Sequence, residues 1–155
     1  MILTIDDWTF QVYPVATRKY YARELSEHCT CPNCRNFYAA VDKVYPELRS
    51  FLLRFGVQVE APDEMMAFTP TLCTNYYAVC GSILERGQGS IRVGSVLVTP
   101  MTAEEAMANT WLSEPLFFLS VGTMALPWLL EESMEDQPQP GQTIQKILNP
   151  WITEG

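Results

Sequence analysis

Residues 115–130 read PLFFLSVGTMALPWLL, the longest uncharged apolar stretch of the chain. A surface strand alternates apolar and polar side chains. Leu116 to Ala125 is apolar on both alternating faces instead, which predicts a central strand covered on each side. The stretch is too short for a membrane span of about 20 residues, and Gly122 and Pro127 interrupt it. A buried central strand needs partners on both edges and layers on both faces, so the rest of the chain has to supply them.

The partners are legible on either side. Leu3 and Ile5, the turn residues Asp6 and Asp7, then Trp8, Phe10 and Val12 form the pattern of a β-hairpin. Glu64 to Phe68, Asn75 to Glu85 and Ile91 to Val98 are further strand candidates. The last two are joined by RGQGS, which suits a hairpin of medium length. Helices lie between. Pro14 opens one through about Leu25, with Tyr21, Ala22 and Leu25 on its inner face. Cys34, Phe37, Tyr38, Val41, Val44 and Tyr45 recur at helical spacing. Pro46 starts a third, with Leu48, Phe51, Leu52 and Phe55 inward and Gly56 as its left-handed stop. Thr102 and Glu105 make a capping box for a short helix to about Ala108. The expected fold is α+β, an N-terminal hairpin and two to three helices packed on an antiparallel sheet of about five strands. Residues 1–132 form a single α+β domain in this reading, 133–141 a polar Pro-rich linker, and 142–155 an amphipathic tail.

Bulk properties bound the function. The chain has 155 residues, 48% hydrophobic and 18% charged, enough for one well-buried domain and incompatible with disorder. Its net charge is −8, and its 10 basic residues do not cluster, which argues against nucleic acid. MILTIDDW carries acids where a secretory signal carries bases, so the expected compartment is the cytoplasm, with no membrane partner. Thiols stay reduced there, and five cysteines cannot pair completely.

The chemistry concentrates in HCTCPNCRNF, residues 28–37, which holds three cysteines and the chain's single histidine. A C-P-N-C turn lets two sulfurs reach one tetrahedral ion, and Cys29 adds a third to Cys31 and Cys34. Zinc is the expected metal, with His28 or Cys80 as candidate fourth ligand. Cys73 and Cys80 are seven residues apart in a strand, so at most one of them faces a given site. The same residues also read as a thiol–disulfide pair. Cys31 sits near a helix cap and Cys34 in the first turn, where free N–H groups stabilise a thiolate. Such pairs normally follow the first strand of a βαβ unit, and here a helix precedes. In a third reading Cys34 is a small buried residue, Cys29 and Cys31 are loop thiols, and Arg35 and Asn36 are surface or capping partners.

Other signatures are missing. There is no G-x-S-x-G, H-E-x-x-H or G-x-x-x-x-G-K-[ST]. GQGSIR lacks the third glycine of a dinucleotide loop. The acidic pairs at 6–7, 104–105 and 131–132 suit solvated turns and caps.

Four segments, CTCPNCRNFYAAV, YPELRSFLLRFGV, the hairpin around YYAVCGSIL, and LFFLSVGTMALPWLLEE, carry a resemblance. In order and spacing the chain resembles an uncharacterised family of small bacterial proteins with a C-x-C-x-x-C-R-N-F segment and a late strand closed by Pro-Trp. The resemblance spans roughly residues 1–132 and implies no function. Cys73 and Cys80 are departures from it.

The leading functional expectation is a non-enzymatic cytoplasmic binding domain whose cysteine loop holds a structural zinc. The alternative is a thiol–disulfide redox protein using Cys31 and Cys34, and a third is a hydrolase or transferase. In the tail, Ile144, Ile147, Leu148, Trp151 and Ile152 form an apolar stripe interrupted at Pro150. Such a stripe is expected to dock on its own domain or on a second copy as a homodimer.

Overall fold

The computed structural model describes residues 1–132; the expected linker and tail lie outside the described residues. It is α+β, as expected, but the sheet has seven strands rather than about five. The elements are β1 (Ile2–Ile5), β2 (Trp8–Val12), α1 (Pro14–Leu25), α2 (Pro32–Val44), α3 (Pro46–Leu53), β3 (Glu64–Thr69), β4 (Leu72–Glu85), β5 (Ile91–Val93), β6 (Val96–Thr102), α4 (Ala103–Ala106) and β7 (Leu116–Ala125). All strand pairs are antiparallel.

The order β1-β2-β4-β7-β6-β5 places β7 between β4 and β6, and β3 pairs the first half of β4. Phe117, Phe118, Leu119 and Val121 are all essentially buried, which satisfies the two-faced apolar pattern. This position overturns the expected hairpin between Asn75–Glu85 and Ile91–Val98. The strand that must be covered on both faces takes the centre and separates them. The RGQGS connection crosses over instead and is held by the N-terminal hairpin. Trp8 Nε1 donates to the Gly89 carbonyl at 2.8 Å, and the Gln88 N–H donates to Asp7 at 3.1 Å. The expected strand 91–98 is itself split, because Gly94 turns at φ +61° and folds β6 back on β5.

The helical layer follows its periodicity with informative exceptions. Cys34, Phe37, Val41 and Tyr45 are buried, as are Leu48, Phe51, Leu52 and Phe55. Gly56 adopts φ +86°, and a β-carbon there would lie 2.5 Å from the Pro14 carbonyl oxygen. The inner face of α1 is Thr17, Tyr20 and Tyr21; Ala22 is exposed. The hydroxyl residues are tolerated because each finds a partner. Thr17 Oγ1 bonds the Tyr13 carbonyl and accepts from the Cys80 N–H. The capping box of Thr102 and Glu105 is present, but α4 stops at Ala106, where Met107 turns left-handed. No helix among the described residues is long and apolar enough to cross a membrane.

Candidate metal centre

The cysteine loop joins two helices. α1 ends at Leu25, the N–H groups of Glu27 and His28 close a turn onto Glu24 and Leu25, and Cys31 becomes the cap of α2. Pro32 occupies the first helical position, where its missing N–H costs nothing. The first helical bond runs from Arg35 N–H to the Cys31 carbonyl at 2.9 Å.

This geometry gathers the sulfurs of Cys29, Cys31 and Cys34 within 4.8 Å of one another. Among the described residues it is the only cluster of three or more metal-ligating side chains. Cys29 and Cys31 are half-buried and Cys34 is buried.

The residues after Cys34 hold the loop in place. Arg35 Nε donates to the Thr30 carbonyl at 2.9 Å, and Tyr38 donates its hydroxyl to the Cys29 carbonyl at 2.7 Å. The Cys31 N–H points at the Cys29 sulfur, 3.5 Å away. Asn36 is not a surface residue, as one reading expected. It is buried and clamps the chain after β7, donating to the Pro127 carbonyl at 2.9 Å and accepting from the Leu129 N–H at 2.6 Å. Arg35 also pairs with Glu132 at 2.7 Å. The C-R-N-F-Y run therefore ties the loop both to its own helix and to the end of the central strand.

The electrostatics suit one negative charge shared by three sulfurs. Hydrogen bonding by the Cys29 and Cys34 thiols holds the Cys31 thiol well below the ordinary range, helped by the N–H groups of Cys34 and Asn33 at the start of α2. Bonding to the Cys31 sulfur pushes Cys29 up, bonding to the Cys29 and Cys31 sulfurs pushes Cys34 up, and burial adds to both. Full ionisation of the trio requires a neighbouring positive charge, which a soft cation supplies.

The two candidate fourth ligands sit differently. Cys80 borders a groove beside Lys19, Arg23 and Trp111, away from the sulfur cluster. His28 borders the same cavity as Cys34 and packs edge-to-face on Tyr38, with ring centroids 4.6 Å apart. Its nitrogens are not part of the 4.8 Å group. Cys73 is buried in the core, which pushes its thiol up to about 12.

A second polar centre has no counterpart in the sequence reading. Asp63, between α3 and β3, accepts from four groups on α1, β4 and the segment before β7. They are the Tyr20 hydroxyl, Thr110 at 2.8 Å, Tyr21 at 3.0 Å and the Ala78 N–H at 2.7 Å. Burial pushes its carboxyl up and these bonds pull it partly back. The only signal was an acid directly after Pro62, which marks a turn and not a network. Neither a family model, nor a curated protein, nor a solved structure matches this chain.

Proposed function

We propose that the protein is a non-enzymatic cytoplasmic binding domain whose cysteine loop is a structural zinc knuckle. The observation that carries the reading is the convergence of the Cys29, Cys31 and Cys34 sulfurs on a loop clamped by Arg35 and Tyr38. Tetrahedral zinc with Zn–S bonds of about 2.3 Å holds its sulfurs about 3.8 Å apart, so a contraction of about 1 Å brings this set into register. A staple at that place fixes the start of α2, and through Asn36 the end of β7. The binding role is supported by Trp111 and Met107, 76% and 86% exposed, which stand at the surface around α4. Exposed aromatic anchors of this kind dominate many interfaces.

Metal analysis of the purified chain, paired with thiol titration, tests the reading. One zinc per chain with slow-reacting loop thiols is expected. A metal-free protein with three freely titrating loop thiols would end it. The second reading, a thiol–disulfide protein, is favoured by one observation: Cys31 is a half-buried thiol held low at the start of α2 with Cys34 beside it. Rapid alkylation of Cys31 at neutral pH in metal-free protein, with a reversible Cys31–Cys34 disulfide, would favour it.

A further inference from the structure

Three thiolates leave a tetrahedral ion one ligand short, and the surroundings of the cluster restrict what can fill the gap. The cavity beside Cys34 is lined by Glu24, His28, Tyr38 and Glu60. Three thiolates on a divalent ion already leave one net negative charge. A carboxylate would add a second in a partly desolvated place, so a neutral donor is favoured. Both acids are also engaged elsewhere. Glu60 pairs with Arg49, and Glu24 lies 3.8 Å from Arg23.

His28, on the same cavity as Cys34, is the candidate for that donor. Its Nδ1 faces the Leu25 carbonyl, which can only accept, so Nδ1 is the donor of that bond and Nε2 is the nitrogen left over for a metal. A histidine that ligates a metal usually has its other nitrogen tied to a carbonyl or carboxylate in this way. The ring is also seated on Tyr38, whose hydroxyl fixes the Cys29 carbonyl, so one side chain orients both the histidine and the loop. Direct sequence adjacency to Cys29 would by itself point the imidazole away from its neighbour's ligand. The fold instead turns it back onto the cavity that Cys34 borders.

We propose that His28 is the fourth ligand of a Cys3His site, bound through Nε2, with Cys29, Cys31 and Cys34 as the other three. The proposal rests on the zinc reading of the same loop. The ring lies outside the 4.8 Å sulfur group, so metal binding draws the ring and the sulfurs together.

Cobalt(II) titration of the full chain, followed by zinc competition, tests it. The variants are His28→Ala, His28→Cys and Cys34→Ala, each checked first by circular dichroism without metal. The wild type should give the intense visible bands of tetrahedral cobalt with sulfur charge transfer. His28→Ala should weaken cobalt and zinc binding at least as much as loss of an outer-sphere partner does, about 10- to 100-fold, and shift the visible bands. His28→Cys should recover tight binding with a redder four-sulfur spectrum. A His28→Ala variant with wild-type affinity and spectrum overturns the histidine assignment while leaving the zinc knuckle standing. A wild type that takes up neither metal overturns both.

Discussion

Asp63→Ala perturbs the junction at which α1, β4 and the segment before β7 meet. Each bond to an ionised carboxylate is worth about 1.5–3 kcal/mol, but the four donors do not lose equally. Tyr20 and Thr110 lie 2.9 Å apart and can bond each other. Tyr21 retains the Ala78 carbonyl at 2.7 Å. The Ala78 N–H has no second acceptor and is left buried and unpaired, at about 1–3 kcal/mol. Releasing the carboxylate from a partly desolvated place offsets some of the loss, and the cavity adds some back. The net expectation is about 2–4 kcal/mol. For a domain of this size that lowers the melting temperature by roughly 5–15 °C. Asp63→Asn keeps one acceptor for the Ala78 N–H and should lose about half as much. Thermal denaturation followed by circular dichroism is the assay. The pH dependence supplies an independent sign. The folded carboxyl is raised above its unfolded value, so its contribution is fully present below the unfolded value. It is lost as pH rises through the raised folded value, and Asp63→Asn should remove that slope. An Asp63→Ala protein melting within about 1 °C of wild type would refute the assignment of this network as a tie between elements.

The remaining expectations concern the sheet and the loop. Phe118→Asp puts a charge on the second face of β7, where the native side chain is 1% exposed; it should cost several kcal/mol, and equilibrium urea unfolding reads the loss. Gly81→Ala places a β-carbon 2.0 Å from the Gln11 carbonyl oxygen at φ +148°, so the β2–β4 pairing should fail, and soluble yield and hydrogen exchange in β1 and β2 would show it. Chelation of the zinc-loaded protein should lower the melting temperature by several degrees, with a free-ligand excess of about 1,000-fold over Kd worth about 4 kcal/mol, and should leave Cys34→Ala unmoved. Trp111→Ala should leave the melting temperature nearly unchanged, since the side chain is 76% exposed; a large drop in a melting scan would show it is packed in solution.

The amino-acid sequence by itself determined the local pieces. The period of 3.6 residues located α2 and α3, prolines and Gly56 set their ends, and the apolar run 116–125 announced a strand buried on both faces. Short spacing also brought Cys29, Cys31 and Cys34 together, because a single intervening loop residue and one helical turn leave the sulfurs little room to separate. Tertiary structure decided what long-range pairing decides. Only the assembled sheet shows that β7 inserts between β4 and β6, since strand alternation specifies a face and not a neighbour. Helical spacing already put Tyr21 on the inner face, but only the packed helices show that Tyr20 joins it and that both hydroxyls meet Asp63, because the donors that pay for burying that carboxylate come from positions 20, 21, 78 and 110. The same holds for Asn36, whose partners Pro127 and Leu129 are 91 and 93 residues away. A buried polar side chain is specified by its partner, and the spacing of the sequence carries no trace of a partner that distant.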